Sequence, residues 1–145
     1  MQAGDRFLPE SNAACFYLAD GSELIPSGRF ERAAMLRWMF FEQYQHEPNI
    51  ATMRYWLHVL GEANLSDDQR GLMAMKRSGG EAALALMDRH LAERDWFVGE
   101  SCSLADIALF AYTHVAREGG FSLDGLGAIR GWIGRMRALP RFVPM

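Results

Sequence analysis

Three short stretches of this chain carry the residue types that could do chemistry. Pro9-Glu10-Ser11-Asn12-Ala13 sets a carboxylate beside a serine just ahead of a helical pattern. A serine there is of the type that caps a helix N-terminus, its hydroxyl accepting a backbone N–H. Ser103-Leu104-Ala105-Asp106 has the spacing of a reciprocal capping box. In such a box Ser103 takes the amide at Asp106 while the Asp106 carboxylate takes the amide at Ser103, so the pair reads as structural, not catalytic. Glu42 and His46 stand one helical turn apart and could share a metal, but no motif places a third ligand, and no metal site is read. His58, His90 and His114 are scattered, with no serine or cysteine partner that would suggest a triad. Cys15 lies near a helix start, where a thiol pKa falls, yet a small residue at that spacing more often fills core.

The elements that must position these groups are helices. Strand signals are nearly absent, and helical spacing dominates from Ser11 onward. A first helix is expected over 11–19, capped by Ser11 and stopped at Asp20-Gly21. After a loop with Pro26 and Gly28, a second is expected over 29–45. Phe30, Ala33, Ala34, Trp38, Phe41 and Tyr44 form a broad apolar face on it, and Met35, Leu36, Met39 and Phe40 thicken that face, so the helix should be covered on more than one side. Pro48 is expected to break the pattern, with a third helix over 50–62. Ser66-Asp67-Asp68 offers a new cap, and helical pattern continues to Leu91 through Gly79-Gly80, which reads equally as a kink or a break. Trp96-Phe97-Val98-Gly99 is an apolar turn. The helix opened by Ser103 is apolar nearly all round and belongs in the centre of a bundle. Gly119-Gly120 ends it, and a last helix is expected over 126–139, before Pro140.

Composition agrees with one such bundle. The chain has 145 residues, half of them apolar, enough for a single core. Its formal net charge of −3 makes no case for nucleic acid or an anionic membrane surface. Two distant cysteines suggest neither a disulfide framework nor a metal cluster, which fits a reducing, cytoplasmic setting. No apolar run is long enough to span a bilayer, and the opening residues lack a signal-peptide layout.

Several segments, in order, carry a resemblance: Pro9-Glu10-Ser11-Asn12-Ala13, Tyr17-Leu18-Ala19-Asp20, Arg32-Ala33, Phe41-Glu42-Gln43-Tyr44, His46-Glu47-Pro48, Trp96-Phe97-Val98-Gly99, Ser103 to Ala108, and Trp132-Ile133-Gly134-Arg135. Together they resemble the all-helical C-terminal domain of the cytosolic glutathione transferase superfamily, most closely its bacterial members. The resemblance implies an all-α helical bundle over 11–145, preceded in 1–10 by the remnant end of a thioredoxin-like domain that is otherwise missing. It implies glutathione conjugation to apolar electrophiles as the activity of the complete enzyme. Glu10 and Ser11 match the family's glutathione-binding pair. On that match the hydroxyl and amide of Ser11 seat the γ-glutamyl carboxylate at a helix N-terminus, and Glu10 pairs with the ammonium. Trp38, Phe41, Tyr44 and Tyr112 are candidates for an apolar substrate pocket, though at helical spacing such aromatics are more often core.

The departures restrain this reading. The first β-α-β unit, the thiol-activating residue and the cis-proline of the family have no counterpart, and Met1 to Leu8 are expected to supply at most the end of one strand. Ala14 and Cys15 replace larger aliphatics. No catalytic residue is therefore carried over. The chain alone is expected to be inactive or weakly active, with glutathione as a weak ligand, and to form a homodimer through a shifted or exchanged interface. The alternative is a non-catalytic helical module that binds a protein or an apolar ligand. A displaced start of the reading frame is a third expectation, which the DNA upstream of Met1 would decide.

Overall fold

The computed structural model describes residues 1–144, a small hairpin followed by six α-helices, and the expected all-helical class is what forms. In place of one strand end, the start of the chain pairs with itself. β1 (Gln2–Ala3) and β2 (Arg6–Phe7) are antiparallel, with Gln2 opposite Phe7 and Ala3 opposite Arg6. Gly4 turns between them at φ 62°, a left-handed value that favours glycine.

α1 (Ser11–Leu18) starts one residue differently from the sequence expectation. Glu10, not Ser11, holds the N-cap position, and its carbonyl accepts the first helical bond from the Ala14 N–H at 3.0 Å. Ser11 is already helical, so its hydroxyl cannot turn back onto the first amides. No side chain caps this end.

The expected break at Pro48 is also absent. α2 (Arg29–Phe41) runs through a π-helical turn at Glu42–His46 into α3 (Glu47–Arg54), and a second π-helical stretch, Tyr55–Gly61, carries the rod onward. Proline lacks an N–H and crowds the carbonyl four residues back. The wider turn before it moves that carbonyl away, and Pro48 falls in the first turn of α3, where a missing N–H is tolerated. Asn49 Nδ2 donates to the Gln45 carbonyl at 2.6 Å, and Lys76 Nζ to that of Pro48 at 2.7 Å, so the disturbed backbone finds partners.

α4 (Asp67–Leu91) is one 25-residue helix that passes through Gly79-Gly80 unbroken. A Cβ on Gly79 would meet the Asn49 side chain, and one on Gly80 would meet the Phe121 ring. The glycines therefore serve close approach of α4 to α3, not a bend. Ser66 caps the helix, accepting from the Gln69 N–H at 3.2 Å while the Gln69 side chain takes the Ser66 N–H at 2.9 Å.

α5 (Leu104–Thr113) is the central helix, in contact with α1, α2, α3 and α6 (Gly127–Arg137). Its N-terminus is secured by a buried carboxylate. Asp106, with 0% exposure, accepts the Ser103 N–H and hydroxyl on Oδ2, both at 2.9 Å. On Oδ1 it accepts the Phe97 N–H at 3.1 Å and the Trp132 indole N–H at 3.0 Å. Burial raises its pKa, and these donors pull the other way. The loop between α1 and α2 joins the same end, since the Leu104 N–H donates to the Leu24 carbonyl at 3.0 Å. Around this point pack the rings of Trp38, Phe97, Phe110 and Trp132, with neighbouring centroids 4.7 to 6.0 Å apart.

Removing Asp106 strands several buried donors at once, each costing about 1–3 kcal/mol. Asp106→Ala is expected to lose ~4 kcal/mol or more in urea unfolding, against ~1 kcal/mol for Ser103→Ala. Equal losses would reduce Asp106 to an ordinary cap.

Candidate functional site

α1 lies along α2 with its N-terminus beside the far end of that helix, leaving a groove of about 800 Å³ between them. Leu8, Phe16, Leu36, Met39, Phe40 and Tyr44 make its walls apolar. Glu10, Asn12 and Gln43 bring polar atoms to one end, and Asp20 to the other. Phe40 and Tyr44 are 63% and 79% exposed, so the cover expected on this side of α2 does not come from the described residues.

The polar end is built with some strain. Glu10 is the one non-glycine residue with positive φ among the described residues, at 66°. A left-handed backbone costs an L-residue about 1–2 kcal/mol, and positions that keep such a cost cluster at functional sites. Here the turn places Glu10 at the groove while leaving the first amides of α1 without a side-chain acceptor. A carboxylate next to an uncapped helix N-terminus suits a zwitterion: an ammonium on the acid, a carboxylate on the amides.

Beneath this end Asn12 is fastened from below. Its Nδ2 donates to Glu42 Oε2 at 3.0 Å, and Gln43 Nε2 donates to the same oxygen at 2.8 Å. Glu42 is only 3% exposed. Burial raises its carboxyl pKa, the two amide donors lower it, and nearby Glu47 adds to the rise.

Comparison with known proteins places this architecture. The family described as "Glutathione S-transferase, C-terminal domain" matches residues 69–140. A glutathione S-transferase structure from Pseudomonas fluorescens is 44% identical, superposes with a TM-score of 0.87, and is matched over 94% of this chain and 67% of its own. The chain belongs to the glutathione transferase family. A theta class glutathione S-transferase from Xanthomonas axonopodis pv. citri, solved with glutathione bound, is 26% identical with a TM-score of 0.82, over 96% of this chain and 67% of that one. Glutathione S-transferase 2 of Anopheles gambiae is 32% identical over 83% of this chain and 56% of its own length. The chain spans between 26% and 60% of the curated relatives it matches.

Set in that family, the residues singled out by sequence do not converge on one cavity. Glu10 and Tyr44 line the groove; Ser11 is exposed at its edge and is not among the lining residues. Trp38 is 2% exposed, edge-on to Phe41 at 5.2 Å and to Phe97 at 4.7 Å, which makes it core. Phe41 and Tyr112 are half-buried against the same core. Asn12 and Glu42, the support for the polar end, carry no local signal that joins them, because their bond spans 30 residues. Cys102 is half-buried with its thiol pKa pushed up to about 12 by burial and by Asp106, so it is an inert thiol.

Glu42 and His46 share one side of the π-turn but spend their polar atoms on different partners. His46 has 0% exposure, and its Nε2 meets Thr113 Oγ1 at 2.8 Å. The Thr113 hydroxyl already donates to the Leu109 carbonyl at 2.6 Å. Nε2 must therefore be the protonated nitrogen, and Nδ1 is left buried without a partner. Burial lowers the His46 pKa from 6.5 to about 3. The unfolded chain takes up this proton near pH 6.5 and the folded one does not, so stability is full above 6.5 and falls as pH drops toward 3. Asp106 and Glu42, with raised values, act in the opposite direction at lower pH. His46→Gln is expected to remove about 2 kcal/mol of the stability difference between pH 7.5 and pH 5 in urea unfolding. An unchanged pH dependence would overturn that assignment.

Proposed function

We propose that this chain supplies the γ-glutamyl anchor and helical scaffold of a glutathione transferase that conjugates glutathione to apolar electrophiles. The observation that carries the reading is Glu10, held at φ 66° beside the uncapped start of α1. In this reading Glu10 pairs with the γ-glutamyl ammonium, and Ser11 with the first amides of α1 holds the adjacent carboxylate. The Xanthomonas relative with glutathione bound supports the ligand class. Asn12, tied to Glu42, keeps the helix start in register, a positioning role. Conjugation also needs the glutathione thiol lowered in pKa by a neighbouring hydroxyl or dipole. The anchor alone does not perform that step.

Assayed alone with glutathione and an aryl halide, the chain is therefore expected to stay at the rate of a heat-treated control. Turnover well above that control would sink the division of labour. In calorimetry glutathione should bind weakly, and Glu10→Gln should weaken it further by about tenfold, the size of one charge-assisted contact. Glutathione binding indifferent to Glu10 would remove the anchor.

The exposed apolar side of the groove favours association. Tyr17, Phe40 and Tyr44 are each more than half exposed and line the groove between α1 and the rod of α2 and its π-turn, more than the scattered apolar residues of an ordinary surface. We infer a homodimer through this side. Light scattering should show it at high concentration, and Phe40→Ser with Tyr44→Ser should return the chain to monomer; a wild-type chain that stays monomeric would exclude it. The same surface supports a second reading, a non-catalytic module for a protein or apolar ligand, which gains if glutathione does not bind. A cytoplasmic location fits this role, and no helix among the described residues is long and apolar enough to cross a membrane.

A further inference from the structure

Charge in the α1–α2 groove has one sign. Acids stand at both of its ends, Glu10 at one and Asp20 at the other, and among the described residues no lysine, arginine or histidine lines it. Neither carboxylate has an ion-pair partner among the described residues. Asp20 is exposed, and it lines the groove together with the apolar walls of Phe16, Leu36 and Phe40.

The backbone of α1 carries a matching polarity. Its first turn holds no acid and its last turn no base, so its own side chains offset neither end of the helix dipole. An anion is favoured at the N-terminus beside Glu10, and a cation at the C-terminus beside Asp20. The γ-glutamyl group of glutathione fits the first end, with its carboxylate on the amides and its ammonium on Glu10. Its one remaining charge is the glycyl carboxylate, which has the wrong sign for Asp20. The cation for the second end must therefore come from the group joined to the sulfur.

We propose that the electrophiles taken by this groove are cationic: an apolar body ending in an ammonium that meets Asp20. The proposal rests on the glutathione anchor at Glu10. Glu10 precedes α1 and Asp20 follows its C-cap residue Ala19, so about 15 Å of helix rise separates them. A γ-glutamyl-cysteinyl unit spans about 7 Å of this at the extended reach of a chain, which leaves about 8 Å for a six-carbon arm. In conjugation to an alkyl halide, the thiolate sulfur forms the C–S bond as the carbon–halogen bond breaks. The halide leaves with the electron pair, the thiol proton passes to solvent, and the ammonium is unchanged. Asp20 is thus a specificity residue and takes no part in bond making.

The test compares S-hexylglutathione with S-(6-aminohexyl)glutathione by calorimetry, on the full chain at a concentration below its self-association. The amine is expected to tighten binding about fivefold at low salt, the size of an exposed ion pair beside a helix C-terminus, and by less as salt is raised. Asp20→Asn should abolish this difference and leave S-hexylglutathione binding unchanged. Asp68→Asn, which removes an equal charge from the exposed start of α4, should preserve it. A preference that survives Asp20→Asn overturns the proposal. If the two conjugates bind alike and both lose affinity with Glu10→Gln, the anchor stands and the cationic class falls; if neither binds, both fall.

Discussion

One buried carboxylate ties the bundle together. Asp106 draws donors from three separate parts of the chain: the residue that opens α5, the apolar turn before it, and the indole of Trp132 in α6. Four hydrogen bonds compensate the desolvation of a group with no exposed surface, and each loses its purpose if the others are missing. The position of α6 and of the Phe97 ring is thus coupled to the start of the central helix. Because Trp38 packs against Phe97, the orientation of α2 depends on the same point. The groove is lined in part by α2, so the surface chemistry inherits its geometry from this interior bond.

The second constraint is the way α2 passes Pro48. A break there would uncouple α2, which faces α1, from α3, which packs on α4. The π-turn keeps the rod continuous and sets Glu42 and His46 inward, toward Asn12 on one side and Thr113 on the other. Both inward groups are ionisable, and burial shifts both toward their neutral forms. The strained turn at Glu10 sits directly above this arrangement, so the helix start that presents the anchor rests on a buried polar network and not on a cap of its own.

Family membership and fold class are independent of these details: helical spacing carried the class, and the family that the resemblance implied is the one the comparisons show. The misread elements have local causes. Ser11 has the right type for a cap, but a cap is defined by the backbone of one residue, and here that residue is Glu10. Pro48 is a breaker by propensity, and a wider turn overrides it. The apolar width of α2 promised cover on two sides, yet Phe30, Phe40 and Tyr44 remain exposed on the described chain, and the buried residues of α2 are Met35, Trp38 and Met39.

Periodicity, caps and turn residues act over a few positions, and they determined that this chain is a bundle of helices with a buried helix opening at Ser103. They could say little about sites, because the bonds that make them join residues far apart: Asn12 to Glu42, His46 to Thr113, Trp132 to Asp106. Packing alone decided that Trp38 is core while Tyr44 lines a groove, though both lie on the same apolar helical pattern. The physical reason is that a pattern ranks which residues prefer burial, whereas the neighbours that bury them are chosen only when the helices meet.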